Sequence, residues 1–435
     1  MENESRKYDI VLLGPTGYTG RFVAEYIAQY FPPDVSWALA GRSHRKLHEL
    51  AVDIQKFNAD RKPPGIEILE LLPERLQRLT RKAKVIINAI GPYSIHGSAV
   101  VEACAFSGTQ YLDFSTETAW IRDVIQMYDA TAKAHKAVII PAIGNSSSPS
   151  DLTAFLLTKH FSQYYGRPPD NIQTSFNMRL NGMSGGSLAS VVSVASRYGV
   201  WNLLFPNPGF LTPNPSSRHK QLFKRIFGYT FDAKLGHLTT SFAAAGNEAV
   251  VHRSKFLRPD LYSKNLSYQE YMPATGVFQA VIIHLVTIIG VLLLALPPFR
   301  SLVDRLRPKE TGSGPKRELL QDEMIELNAI ASGRTNYGSK ELRAKYTFHG
   351  PMYGHSVLLA AEAAMVLLDR GVDTGLGGEQ YGVLTPSCLG MAFVDRLRES
   401  GVALEISMGE TMNRNGHPEE DVIRYKHSMV VMPRQ

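Results

Sequence analysis

The sequence predicts an α/β protein: an N-terminal Rossmann domain with a doubly wound parallel sheet, a second α+β domain, and a C-terminal helical return onto the first domain. Short β-rich runs alternate with amphipathic stretches from Tyr8 to about Pro141, the pattern of βαβ crossovers and a mostly parallel sheet. A glycine-rich turn follows the first run in "IVLLGPTGYTGR", Ile10 to Arg21. The texture then changes after Asp151 to longer connections, in a chain whose 435 residues exceed the usual size of one domain.

In the first domain, residues 1–150, the strand candidates are "YDIVLLG", "SWALAG", "GIEILEL", "KVIINAIG", "TQYLDF" and "KAVIIPAIG". Near-continuous apolar runs such as "VIINAI" fit burial on both faces of a sheet. The N-terminus puts charge before an apolar run too short for a secretory leader, so it reads as the first strand. The second domain, 151–345, offers the strand candidates "TSFNMRL" and "LTTSFAAAGNEAVVH", a Pro-rich loop from Phe205 to Pro215, and "KETGSGPK", Lys309 to Lys316, which reads as a flexible linker or surface loop. The return, 346–408, carries two amphipathic helices, "HSVLLAAEAAMVLLDRG" and "PSCLGMAFVDRLRESG", the second closing at Gly401. The tail, 409–435, receives no role.

Composition narrows the function classes. Hydrophobic residues make up 44% and charged residues 20% of the chain, an ordinary globular balance. The net charge of +7 suits an anionic cofactor, an anionic membrane or nucleic acid. Basic residues are scattered apart from one modest cluster at Arg300 to Arg317, and neither an aromatic-interleaved basic stripe nor zinc-ligand spacing occurs, which argues against nucleic acid and against a metal site. The two cysteines, Cys104 and Cys388, lie far apart in helical contexts. That usage indicates a reducing compartment on the cytoplasmic side rather than secretion.

Gly276 to Leu296, "GVFQAVIIHLVTIIGVLLLAL", is the most apolar window and carries no formal charge. A helix of that length would cross a hydrocarbon core of roughly 30 Å. Three readings compete: a buried core helix, an in-plane membrane contact, and a span, the last requiring the lobes to fold on opposite sides of a membrane.

Gly14, Gly17 and Gly20 stand where a strand turns into a helix, the place where backbone amides and a helix N-terminus receive a pyrophosphate. Thr16 and Tyr18 belong to the same turn and are assigned to the cofactor with it. The spacing is G-x-x-G-x-x-G, looser than the strictest dinucleotide fingerprint, so a plain glycine turn is the competing reading. The second strand ends in "ALAGRSHRK" with no acid for a ribose 2′-hydroxyl; Arg42, Ser43 and Lys46 offer charge and a hydroxyl to a 2′-phosphate instead, which selects NADP, against a simple solvated arginine. At the end of the fourth strand, "NAIGPYSIHG" puts Asn88, Gly91, Pro92 and Tyr93 at the carboxyl edge of the sheet, facing the cofactor riboses. Tyr93 and His96 are candidate proton donors, the alternative for each being a packing or ribose-contact role.

These motifs resemble the saccharopine dehydrogenase-like oxidoreductases, including the group called trans-acting enoyl reductases. The resemblance rests on "GPTGYTGR", "LAGRS", "INAIGPYSIHG", "VEACAFSGTQYLDFSTE", "IIPAIGNSSSPSDL", "SGGSLAS", "VVHRS" and "GVLTPS", in order between about Tyr8 and Ile406. It implies the three-part architecture above and NADPH-dependent reduction of a carbon–carbon double bond in an acyl, lipid or polyketide-like substrate, as in secondary metabolism. It also places peripheral membrane or lipid-droplet contact through 276–296 ahead of the buried helix. The oligomeric state is left open, a homodimer included.

The chain departs from the family pattern in three places. Ser146 and Asn145 stand where an aspartate and an aromatic residue are usual, Thr116 replaces a glycine, and Asn247 replaces an aspartate. Catalytic candidates are Tyr93, Ser147 and the backbone amides of "GNSSSPSD", with Arg179 or Arg253 as more distant charge partners. Two other functions compete: an imine or amine oxidoreductase of the saccharopine dehydrogenase type, which would need an arginine-rich pocket, and a non-catalytic NADP-binding, lipid-associated protein. A semialdehyde dehydrogenase would need a nucleophilic cysteine, and a short-chain dehydrogenase would need the Tyr-x-x-x-Lys pair that the sequence lacks.

Overall fold

The computed structural model describes residues 6–200, 207–213, 228–308, 310, 312–336, 338–369 and 380–408, and the short strands at 411–412, 418–419 and 422–423. The first domain alternates β1 (Tyr8–Leu13), α1 (Tyr18–Tyr30), β2 (Trp37–Gly41), α2 (His44–Gln55), β3 (Gly65–Ile68), α3 (Pro73–Lys82), β4 (Ala83–Asn88), α4 (Tyr93–Ser107), β5 (Gln110–Asp113), α5 (Thr118–Ala134) and β6 (Val138–Ile140). Along β1, Ile10 and Leu12 join one buried core and Val11 and Leu13 another. An apolar run is therefore needed, because both faces of the sheet are covered by helices.

The chain crosses next on α6 (Ser147–Tyr165) to β7 (Asn171–Arg179), α7 (Gly185–Tyr198), β8 (Tyr229–Asp232), β9 (Gly236–Thr240), α8 (Ala244–Leu257) and β10 (Ser267–Ala274). Two consecutive helices follow, α9 (Val277–Ala295) and α10 (Pro297–Leu306), and then the long hairpin β11 (Met324–Thr335) and β12 (Gly338–His349). The chain returns through α11 (Met352–Leu368), β13 (Gly382–Val383), α12 (Gly390–Glu399) and β14 (Ala403–Met408), and ends with β15 (Thr411–Met412), β16 (Pro418–Glu419) and β17 (Val422–Ile423).

The first sheet is parallel throughout, ordered β13-β6-β5-β4-β1-β2-β3. Its direction of winding reverses between β1 and β4, so a ligand crevice lies beyond the carboxyl ends of those two strands. The second sheet is mixed, ordered β17-β14-β12-β11-β7-β10-β9-β8. Helices α6 and α11 share one apolar core with strands of both sheets. That position explains why α11 is buried nearly all round instead of on one stripe. Its one carboxylate, Glu362, is buried with it and accepts from Tyr26 OH and Arg396 Nε, both at 2.8 Å.

Several expectations are corrected. The boundary drawn at residue 150 falls inside α6, and the one drawn at 345 falls inside β12. Residues 403–408, placed in the return, form a strand of the second sheet beside β12. "LTTSFAAAGNEAVVH" is strand only through Thr240; from Ala244 its good helix formers wind into α8. The window 276–296 is not a buried core helix, because only Ala280 and His284 of α9 are buried. The Pro-rich loop from Phe205 to Pro215 lies partly, and the tail from 409 largely, outside the described residues.

Candidate functional site

The glycine turn is shaped as a phosphate cradle. Gly14 takes φ +80°, and a Cβ there would also lie 2.5 Å from Ile90 Cγ1. At Gly20 a Cβ would fall 2.1 Å from the Gly14 carbonyl oxygen, so α1 starts directly against the turn. Gly17 caps α1 with no side-chain hydrogen bond, and the first turn contains no acid. The amides and the positive end of the helix dipole are thus left for an anion, and the residues present fit a dinucleotide pyrophosphate.

At the end of β2, Arg42 is exposed and has no hydrogen-bond or ion-pair partner among the described residues. Ser43 beside it caps α2, its Oγ accepting from Lys46 N at 3.4 Å. Burial, and then the charge of Arg42, hold His96 below the ordinary histidine range, with Glu117 pulling the other way. The Arg42 charge at the end of β2 is therefore near enough to α4 to act on His96.

The stretch read as a flexible linker or surface loop is a loop strapped over this turn. A Cβ on Gly312 would sit 3.1 Å from Thr16 O, and one on Gly314 would sit 2.4 Å from the Tyr18 ring. Tyr18 OH donates to Pro315 O at 2.6 Å, and its ring meets Phe22 and Tyr353 edge-on at 5.3 and 4.8 Å. Burial pushes the Tyr18 hydroxyl up to about 12. Tyr18 is consequently a clamp between turn and strap, with its hydroxyl spent on protein and not on a cofactor. Arg317 completes the strap, forking onto Glu25 at 2.9 and 2.7 Å above the Phe22 ring.

The loop after β4 is braced from below. Asn88 is fully buried; its Nδ2 donates to Tyr111 OH at 3.1 Å and its Oδ1 accepts from Ile90 N at 3.0 Å. It shapes the loop from below and, being fully buried, does not line the cavity. Tyr93 is also engaged by the protein: its hydroxyl donates to Asn88 O at 3.2 Å and accepts from Phe114 N at 3.3 Å, while its ring lies on Trp120. Burial raises that hydroxyl well above its ordinary value. Tyr93 lines the cavity as a positioning residue, beside Gly91, while Pro92 caps α4.

Two carboxylates that the sequence reading did not single out organise this edge. Glu117 accepts from Tyr93 N at 2.7 Å, Ser94 N at 2.9 Å and Ser190 Oγ at 2.9 Å, capping α4 and tying it to α7. Asp113 accepts from Ser115 N at 2.8 Å, Ala142 N at 3.1 Å and Tyr111 OH at 2.7 Å, and burial raises it to about 7.

Between the domains lies a cavity of about 1060 Å³. Its first-domain side is formed by Ala89, Gly91 and Phe114 to Ala119, and its second-domain side by α7, α8, β10 and the inner face of α9. At the junction, Ser146 and Ser147 Oγ both donate to Asn247 Oδ1, at 3.2 and 3.1 Å. Asn247 Nδ2 in turn donates to Glu270 Oε1 at 2.7 Å, and Glu270 Oε2 accepts from Ser150 Oγ at 2.5 Å and Tyr268 OH at 3.1 Å. Burial lifts the Glu270 carboxyl to about 7 against those three donors. Glu270 went unread because nothing in "YSKNLSYQEYMP" marks it; only the fold carries it to Asn247.

The remaining candidates lie elsewhere. Arg179 is exposed at the end of β7. Arg253 is buried in α8, where its Nη2 donates to Val383 O at 3.0 Å and pairs with Asp129 at 3.3 Å. Neither lines the cavity. Cys104 and Cys388 are buried free thiols that burial pushes above the ordinary range, the opposite of what an activated nucleophile needs.

The geometry is that of a dinucleotide-dependent oxidoreductase, and the comparisons agree. Residues 10–140 match the model of the saccharopine dehydrogenase NADP binding domain. Trans-acting enoyl reductase of Mycobacterium bovis is 30% identical over 424 residues, covering 93% of this chain and 99% of the relative. A lipid droplet localized protein of Caenorhabditis elegans is 38% identical over 159 residues, 36% of this chain and 37% of that protein. In fold, the chain is similar to apo saccharopine dehydrogenase (L-Glu forming) from Saccharomyces cerevisiae, with TM-score 0.51 at 12% identity over 92% of this chain and 99% of that one. The chain belongs to the saccharopine dehydrogenase-like oxidoreductase family, which includes the trans-acting enoyl reductases, and its cofactor is NADP.

Two predictions follow from the site's charges. Arg42→Asp should raise the Kd for NADPH by about tenfold or more while leaving NADH within about twofold; equal losses in a fluorescence titration would remove Arg42 from the 2′-phosphate. For the buried acids, the folded values of Glu270 and Asp113, near 7, lie above ordinary carboxyl values. Their contribution is then fully present below about pH 4 and is lost as pH rises through the folded values. Glu270→Gln should flatten the fall in melting temperature between pH 5 and pH 8, measured by scanning fluorimetry.

Proposed function

We propose that the protein is an NADPH-dependent reductase of an α,β-unsaturated acyl or lipid substrate, working on the cytoplasmic side at a membrane or lipid-droplet surface. The observation that carries the reading is the cavity: nucleotide loops form one side, an apolar helix forms the other, and no arginine lines it among the described residues. Its lysines are Lys255, which donates to Leu266 O at 3.0 Å, and Lys264. The imine or amine alternative calls for bidentate arginine clamps on a substrate with several carboxylates, and the lining offers only these two lysines among the described residues.

NADPH, when bound, supplies the hydride. The chain's part is to hold the acyl group and to receive charge as it develops. Among the described residues no acceptor takes the Ser146 and Ser147 amide hydrogens at the start of α6, so they are placed to receive the carbonyl oxygen at the positive end of a 19-residue helix. Ser147 Oγ is the catalytic hydroxyl in this reading, held on Asn247 at the cavity wall. Glu270 orients Asn247 from behind, and burial shifts its carboxyl toward the protonated form, which lowers the negative charge directly behind the junction. Ser147→Ala should lower kcat by about 10²-fold with the Kd for NADPH unchanged. Loss of NADPH absorbance with unsaturated acyl thioesters tests the activity; tight NADPH binding with no acyl, polyketide or imine substrate consuming it would leave the non-catalytic, lipid-associated alternative.

Membrane contact is supported by α9. Phe278 is 88% exposed and Ile282, Leu285, Val286, Ile289 and Leu292 are each at least 46% exposed, recurring every three or four residues on one face. With the exposed Leu302 and Leu306 of α10 they form an apolar surface, next to which the exposed Arg305 suits anionic headgroups, while Arg307 pairs with Asp304 and Arg300 donates to Ala195 O and Leu294 O. Val286→Lys with Ile289→Lys should abolish flotation with anionic vesicles while the melting temperature stays within about 2 °C, since exposed positions carry little folding energy. Unchanged flotation would remove α9 as the contact.

A further inference from the structure

The same helix that presents this outer face lines the cavity with its inner one. His284, Thr287, Ile288, Val291 and Leu294 all face the cavity and recur at the spacing of a single helical stripe. Two polar atoms of this stripe are already engaged. Thr287 Oγ1 donates back to Ile283 O at 2.8 Å, and His284 Nδ1 is bonded to Thr240 Oγ1 at 2.9 Å. The wall that remains is hydrocarbon, and Val191 and Val194 of α7 add to it.

The cavity is also large for its chemistry. A volume of about 1060 Å³ lies at the upper end of the roughly 300–1,000 Å³ that encloses a drug-sized ligand. In the reductase reading, Gly91, Ser147 and Asn247 at the polar junction would hold the nicotinamide and the reacting acyl group, which leaves the α7–α9 side for something long and apolar. From His284 to Leu294 the stripe extends about 15 Å at 1.5 Å rise per residue.

We infer that the seam between α7 and the inner face of α9 is a binding site for the long aliphatic chain of an acyl lipid, and that Ile288 and Val291 set the chain length the protein accepts. This deepens the reductase reading by assigning its substrate class, and it makes the α9 helix the shared wall between a lipid surface outside and a lipid chain inside. Where Ile288, Val291 and Leu294 of α9 face Val191 and Val194 of α7, the lining side chains offer no polar atom to repay desolvation of a charged or heavily hydroxylated tail, so such substrates are disfavoured there.

The test is equilibrium binding of saturated acyl N-acetylcysteamine thioesters of graded length to the full chain with NADPH present, read by intrinsic tryptophan fluorescence; no turnover is involved. Affinity should rise by about threefold to fourfold per added methylene, from about 0.8 kcal/mol for each buried CH₂, and then level off. Val291→Trp should weaken the long-chain ligands by about tenfold or more and leave the shortest within about twofold. Ile288→Ala, which removes volume and guards against a misfolded Trp variant, should extend the plateau to longer chains. Val286→Lys, on the outer face, should leave the chain-length profile as it is. A flat dependence on length, or profiles identical in the wild type, Val291→Trp and Ile288→Ala, would overturn the inference. Turnover of short unsaturated thioesters beside a flat profile would sink the chain site alone, whereas a graded profile without turnover would sink the reductase reading alone.

Discussion

The burial of α6 between two sheets is the constraint on which the rest of the molecule depends. From Ser147 to Thr158 the helix is shielded on every side, so its sequence must be small or apolar all round and its position cannot shift without opening both cores. Asp151, one turn into it, fixes its rotation: the carboxylate accepts from Ser254 Oγ on α8 at 2.5 Å and from Ser387 N on the returning chain at 2.8 Å. Because the N-terminus of this helix is also the junction of the cavity, the packing that joins the domains sets where the Ser146 and Ser147 amides point. Fold and site are specified by one element.

Around that point the charge has been rearranged more than removed. Ser146 and Asn247, where the family resemblance implies aspartates, make the rim of the junction neutral, while a carboxyl remains one residue deeper at Glu270. Three donors surround that carboxyl, yet burial outweighs them and lifts it to about 7. A neutral, hydrogen-bonded rim backed by a proton-holding acid favours an uncharged acyl group. It would serve a polycarboxylate poorly, and the arginine-free lining points in the same direction.

The first domain was legible in the sequence because its rules are local. Six apolar runs and the glycines at 14, 17 and 20 each declare themselves within a few residues, and the structure forms the strands and the tight turn there. Legibility failed where partners are distant in sequence. Asn88 and Tyr93 sit at the right edge of the sheet, but Tyr111 and Phe114 take their polar atoms. Tyr18 is claimed by Pro315, almost three hundred residues away, and no feature of "KETGSGPK" says that its glycines exist to clear an aromatic ring. Glu117 and Glu270 gain their meaning only when α7 and α8 arrive. In the second domain β12 does alternate, Leu342, Ala344, Tyr346 and Phe348 buried with Arg343, Lys345 and Thr347 between them, whereas the register of β11 against β7, about 150 residues earlier, is set by tertiary pairing alone.

The apolar helix α9 shows why composition alone left three readings open. A run of 19 residues without a formal charge satisfies the hydropathy test for a span, but that test cannot tell one apolar environment from two. The fold separates them: Ala280 and His284 are drawn into the protein, a stripe through Val291 and Leu294 faces an internal cavity, and Phe278, Val286 and Ile289 look outward. Only a helix apolar on both faces can serve as a partition between an internal hydrocarbon slot and an external lipid surface, because a polar face on either side would forfeit the burial that favours the ligand there. Two polar holds tie that partition to the second sheet: His284, bonded to Thr240 and packed so closely on Gly228 that a Cβ there would lie 2.0 Å from its ring, and Ala280 O, which accepts from Thr239 Oγ1 at 2.7 Å. Both lie on the first half of α9, so the stripe from Ile288 to Leu294 meets the cavity through hydrocarbon contacts alone.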